Sequence, residues 1–197
     1  MFSERFPLSL YAIYIIIKKL ITEMMEKTDI SLLTDNFFEA IGKEWMIVTS
    51  GCMEHYNMMT ASWGGIGWLW NKPVAFVFIR PERYTFDFIE RTGRMTLSFL
   101  GKDEKARAAY NLCGSKSGRD MDKTKESGLM PIGIGEKGED VGYAQSRLTL
   151  VCKTLYADDL KAESFAEREI CGKWYGKAGG YHKMYIVEIE EAFVNRD

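Results

Sequence analysis

The 197-residue chain reads as a mainly β protein of the α+β class, a small barrel with short peripheral helices. Strand-length runs rich in β-branched and aromatic residues recur along the body, and the helix-favouring stretches between them are short. Strands do not alternate regularly with long helices, which disfavours a doubly wound parallel sheet. With hydrophobic residues at 46%, the chain can fill one substantial core, so a single domain is expected over residues 25–197.

In chain order, the first element is a compact apolar run, Leu8 to Ile17, closed by Lys18 and Lys19. It is shorter than the roughly 20 apolar residues of a spanning helix. No small-residue cleavage site follows it, as a signal peptide would require. Residues 1–24 therefore read as an extension outside the domain, with Met24 or Met25 able to begin the protein, or else as a docked helix or weak membrane anchor. No firm membrane association is expected.

Strands are expected at Trp45 to Gly51, Met58 to Trp63, Val74 to Ile79, Arg94 to Leu100, Arg147 to Tyr156 and Met184 to Glu190, enough for a small barrel. Asp35, Thr85, Asp103 and Asp120 can each cap a short helix. Gly42, Gly93, Gly114 and Gly128 stand where those helices would stop.

The formal net charge is −2, with Lys and Arg spread among acidic residues, so no basic stripe suggests a nucleic-acid partner. Cys52, Cys113, Cys152 and Cys171 lie far apart without a CxxC pair, and only His55 and His182 accompany them, which indicates neither a zinc site nor a disulfide framework. A reduced, cytoplasmic protein with buried thiols is expected.

Two segments carry chemistry. The apolar run Val74 to Ile79 leads into Arg80-Pro81-Glu82-Arg83-Tyr84-Thr85 and then a helix. Helix-terminal N–H groups, the Thr85 hydroxyl and two guanidiniums can cradle a phosphate monoester; alternatively, both arginines are solvated or paired with Glu82 and Asp87. The segment Asn57-Met58-Met59-Thr60-Ala61-Ser62-Trp63-Gly64-Gly65 has the small residues that let a planar ring system such as isoalloxazine approach a strand. Met59, Trp63, Trp68 and Trp70 suit its apolar faces; alternatively, this is a core strand with an aromatic cluster.

Four pieces together give the chain a specific resemblance: Thr49-Ser50-Gly51, Asn57 to Trp63, Arg80 to Thr85, and Cys113-Gly114 with Ser117 to Lys123. From about Phe37 to Phe193 it resembles the flavoredoxin branch of the flavin reductase-like, FMN-binding split-barrel family. The resemblance implies FMN as cofactor, with Asn57, Met59, Thr60, Ala61, Ser62 and Trp63 at the flavin ring and Arg80, Arg83, Tyr84 and Thr85 around the ribityl phosphate. It further implies that Cys113 and Ser117 belong to the site, which Lys123 and its loop would close. It also implies a homodimer with FMN near the interface. Within the Ser117 to Lys123 loop, Gly118 would permit an unusual turn, and Lys123 either points its charge at the flavin's N1/O2 edge or is a solvated helix lysine.

The implied activity is transfer of electrons from NADH or NADPH through bound FMN to an acceptor; the alternative is a non-enzymatic electron carrier reduced by a partner protein. The flavin N5 carries the chemistry, and no catalytic side chain is required. A redox-silent FMN-binding or interaction module is a third reading. Gly133 to Gly138 matches G-x-G-x-x-G, but Pro131 upstream and the charged residues downstream are the wrong setting for a dinucleotide fingerprint. His182 could line the donor or acceptor side of the flavin or be a hydrogen-bonded structural histidine. His55 lies in an expected turn without chemistry.

Overall fold

The computed structural model describes residues 25–176 and 180–195, so the N-terminal extension read at residues 1–24 lies outside the described residues. The strands are β1 (Met25–Thr28), β2 (Met46–Cys52), β3 (His55–Ala61), β4 (Gly64–Leu69), β5 (Lys72–Ile79), β6 (Arg94–Phe99), β7 (Pro131–Ile134), β8 (Asp140–Tyr143), β9 (Leu148–Asp159) and β10 (Lys183–Asn195). The helices are α1 (Phe37–Glu39), α2 (Tyr84–Thr92), α3 (Glu104–Ser115), α4 (Lys123–Ser127) and α5 (Arg168–Trp174). A π-helical turn, Ala40–Glu44, extends α1.

The main sheet is antiparallel and runs β3-β2-β6-β9-β10-β5-β4, while β7 and β8 form a separate hairpin. β10 organises it. One edge pairs with β9 throughout, and the other pairs first with β5 (Lys183 to Glu188) and then with β1 (Ala192 to Asn195). Register shifts between Ile186 and Val187 and between Ile189 and Glu191 bend and twist this long strand. The two ends of the sheet, β3 and β4, are not paired with each other, yet only Ser62 and Trp63 separate them in sequence. The sheet therefore curls into a barrel split along the β3/β4 seam.

Inward residues alternate along the strands, as the two-residue period demands. Met46 and Val48 of β2 enter the barrel core with Val77, Leu97, Leu150 and Val187. Ile47, between them, faces the other way and packs under α3 with Met58, Ala106, Ala109, Tyr110 and Cys113. β2 is thus buried on both faces, which explains its nearly continuous apolar sequence.

All six expected strands are present, with shifted ends, and β1, β4, β7 and β8 are additional. β4 (GGIGWL) hides from sequence reading because its glycines and exposed Trp68 break the apolar alternation. Only Asp103 caps as expected, accepting from the Ala106 N–H. Asn36 caps α1 in place of Asp35, which pairs with Arg147, and Asp122 caps α4 in place of Asp120. Gly93 and Gly128 end their helices in the left-handed conformation. Gly42, by contrast, lies inside the π-turn and Gly114 inside α3. The G-x-G-x-x-G stretch starts within β7 and turns back into β8 through Gly135 (φ 89°) and Gly138 (φ 65°), with no helix following. No described helix is long and apolar enough to cross a membrane.

Candidate functional site at the barrel seam

A slot of about 250 Å³ opens at the seam, lined by Met59, Thr60, Ala61, Ser62 and Trp63 from one end of the sheet. Phe78, Arg80, Arg83, Trp174 and His182 line it from the rest of the barrel and from α5. The seam supplies it with aromatic walls. The Trp63 indole lies edge-on to Trp174 at 4.9 Å between centroids and 5.1 Å from the His182 ring. Thr60 contributes no free hydroxyl proton, since its Oγ1 donates to the Tyr110 carbonyl at 2.6 Å.

A second cavity, of about 170 Å³, is lined by Glu82, Arg83, Tyr84, Thr85, Gly114, Ser115, Lys116, Ser117 and Lys123. Arg83 lines both spaces and is the residue that joins them. Its Nη2 donates to the Cys113 carbonyl at 3.2 Å, and it forms no ion pair among the described residues. Lys123 is 5% exposed and donates to the same Cys113 carbonyl at 3.0 Å and to the Met58 carbonyl at 2.9 Å. Burial pushes the Lys123 amine down to about 8, with the Arg83 charge adding to the effect. Burial likewise lowers the basicity of Arg83.

At the helix terminus expected to join the cradle, Tyr84 and Thr85 line the second cavity, and Thr85 is also engaged within the protein. With the Asn57 amide turned so that its oxygen meets donors, Oδ1 accepts from the Thr85 N–H at 3.2 Å and the Thr85 hydroxyl at 2.7 Å. The N–H and hydroxyl of Thr85 are thereby engaged inside the protein. The side chains of Arg83, Lys116, Ser117 and Lys123 bring further donors to the cavity lining. Asn57 itself lines a third cavity, of about 210 Å³, rather than the slot. The Cys113 thiol is also turned away and lies 3.6 Å from the Met58 sulfur, so its contribution is its carbonyl. Lys123 is neither solvated nor part of the slot lining. Gly118 is needed for close approach and not for a special turn, because a Cβ there would sit 1.9 Å from the Asn57 side-chain amide.

Arg80 also departs from the phosphate set. It lines the slot only, where its Nη2 donates to the Trp174 carbonyl at 2.9 Å and its guanidinium lies over the Tyr175 ring. His182 is buried, with Nδ1 3.0 Å from the Tyr175 hydroxyl, and burial together with Arg80 pushes its basicity down to about 4. His55 packs against Phe88 at 4.8 Å.

The model of the flavin reductase like domain matches residues 38–197. The chain belongs to that family. No curated protein sequence matches this flavin reductase-like protein. Among solved structures, it is similar to the flavoredoxin of Methanosarcina acetivorans (TM-score 0.58, 19% identity, 87% of this chain and 76% of that one). It is similar also to the flavoredoxin of Desulfovibrio vulgaris (Miyazaki F) (TM-score 0.58, 20% identity, 87% and 78%). A third likeness is to an FMN-binding domain of a flavin reductases-like enzyme from Shewanella baltica OS155 (TM-score 0.58, 16% identity, 87% and 77%). At these identities the shared feature is the split-barrel fold.

Sequence reading of this flavin reductase-like protein missed Trp174, Tyr175, Phe78, Ser115 and Lys116. Trp174 and Tyr175 sit in a polar, charged stretch with no periodicity. The one available signal was a tryptophan-tyrosine pair ending at Gly176, six residues before His182.

Proposed function

We propose that the protein binds FMN and passes electrons from NADH or NADPH through it to an acceptor. The observation that carries this reading is the pair of cations, buried Lys123 and half-buried Arg83, which meet at one neutral carbonyl beside a cavity. A buried charge without a counter-ion is costly, and a phosphate in that cavity would neutralise both. The donor set fits a phosphate: Arg83 and Lys123 bring charge, Lys116 adds another, and the Ser117 hydroxyl accepts from the Arg119 N–H while keeping its own proton to donate.

The slot fits the ring. Met59, Ala61, Trp63 and Phe78 offer apolar surface, and the strand-end backbone from Ala61 to Trp63 offers polar groups at one edge. Arg83, lining both spaces, would set the distance between ring and phosphate. Bound FMN supplies hydride acceptance at N5 and release of one or two electrons. This chain's own residues hold it and wall the slot, with Trp63 and Trp174 excluding water.

The second reading, an electron carrier reduced by a partner protein, draws support from the fold likeness to two flavoredoxins. We propose a homodimer contact at the tip of the β4–β5 hairpin, where Trp68 (69% exposed) and Trp70 (56% exposed) project. Stopped-flow mixing of the FMN-loaded protein with NADH and NADPH tests the enzyme reading. Fast flavin bleaching supports it, slow bleaching with rapid reduction by ferredoxin supports the carrier, and failure to take up FMN defeats both.

A further inference from the structure

A groove of about 340 Å³, larger than either cavity at the seam, runs between α3 and the turn that follows α4. Leu100, Ala106, Ala109 and Leu129 give it apolar walls. One wall is fixed by Gln145, whose side chain accepts from the Met130 N–H at 3.0 Å and donates to the Gly128 carbonyl at 3.1 Å. The groove shares no described lining residue with the slot or the second cavity, so flavin binding makes no use of it.

The start of β1 lies beside this groove. Met25 is in register with Asn195, whose N–H donates to the Arg147 carbonyl at 3.0 Å, and the Arg147 N–H donates to the Phe99 carbonyl at 2.8 Å. Leu100 follows Phe99, and Gln145 lies two residues before Arg147, so the groove begins next to these partners. Met25 also packs in one apolar cluster with Ala144, the residue before Gln145. The chain preceding Met25 carries, at residues 8–17, a run that is apolar or aromatic apart from Ser9. That run is shorter than the roughly 20 residues that cross a bilayer, and keeping it in water forgoes the gain of burial. The residues between, 18–24, can span roughly 23 Å, whereas Met25 and Arg147 are separated by two strand spacings of about 4.8 Å each. So short a tether holds the run at an effective concentration on the order of millimolar, which favours the groove of its own chain over that of another copy.

We propose that the groove between α3 and α4 is the seat of residues 8–17 of the same chain. Docked there, the segment ties α3 to the end of α4, the two helices that bring the Cys113 carbonyl and the Lys123 amine together. The seat does not depend on bound flavin.

Chymotrypsin cleavage of the full chain after Tyr11 and Tyr14, followed by mass spectrometry, reads how often the segment leaves its seat. Each rate is taken relative to that of a free peptide of the same sequence. Ala108 lines the groove and is exposed, so Ala108→Arg fills the groove and leaves the core alone, which thermal unfolding checks. Ile13→Asp combined with Ile16→Asp removes the apolar character of the run. The groove variant and the segment variant should each speed cleavage about tenfold. Joining them in one chain should speed it no further, because both break the same contact. Hydrogen exchange at residues 100–109 should also rise in the segment variant, whatever the groove variant does to the fold. Unchanged exchange there, a cleavage rate that a folded Ala108→Arg protein leaves as it was, or effects that add would overturn the proposal. So would protection that grows with protein concentration, which assigns the groove to a second copy, or protection that appears only with phosphatidylcholine vesicles, which assigns the segment to a bilayer.

Discussion

Arg83 and Lys123 donate to a single acceptor, the main-chain carbonyl of Cys113, at 3.2 and 3.0 Å. Two cations converging on one neutral oxygen repel each other, and the surrounding burial leaves water little room to screen them. Such an arrangement is relieved by an anion.

Arg83→Ala should therefore weaken FMN binding by about 1.5–3 kcal/mol, the worth of a charge-assisted hydrogen bond, or roughly tenfold to a hundredfold. Riboflavin, which lacks the phosphate, should lose far less affinity for the same variant. Parallel fluorescence titrations with the two flavins check this, and equal losses would remove Arg83 from the phosphate site.

Lys123 gives the ligand-free protein a pH signature. Its amine titrates at about 8 in the folded state against an ordinary 10.5. Between these values the unfolded chain holds a proton that the folded chain has released, so stability rises with pH across that window. Relative to Lys123→Met, the natural protein should gain at most about 3 kcal/mol from pH 8 to pH 10.5, as urea unfolding would measure. FMN affinity should move in the opposite sense and fall above pH 8, as the amine loses the charge that a phosphate favours.

Gly118→Ala should destabilise the fold, because the new methyl group would meet the Asn57 side-chain amide at 1.9 Å and Tyr84 at 3.4 Å. Asn57 would have to leave Thr85 and uncap α2. A loss of about 1–3 kcal/mol is expected, together with weaker FMN binding. Thermal unfolding with and without FMN tests both effects.

Trp63→Ala should lower the affinity for FMN and riboflavin alike, in contrast to Arg83→Ala, because the indole borders the slot and not the second cavity. The aromatic contact is worth roughly 1 kcal/mol, about fivefold. The same pair of titrations measures it.

The strands were legible where burial on one or both faces left an apolar record, as in β2, β5, β6 and β9. β4 left none because its glycines make way for the Phe76 backbone and ring, an arrangement set by the neighbouring strand. Of the residues expected at the site, Met59 to Trp63, Arg80 and Arg83 line one slot. What could not be read was the division of labour. Whether Thr85 serves a ligand or Asn57, and whether Cys113 offers sulfur or carbonyl, depends on contacts 28 and 30 residues distant in sequence. Trp174 reaches the slot from the end of a helix whose own sequence shows no apolar stripe.

The two-residue link between β3 and β4 has a consequence for ligand exchange. Ser62 and Trp63 can stretch to roughly 10 Å between the strand ends and no further, so the barrel cannot part along its seam to admit a three-ring molecule. An occupant must therefore fit the slot at the width this short link sets, against the wall made by Trp174, which is 46% exposed and tied down through its carbonyl by Arg80.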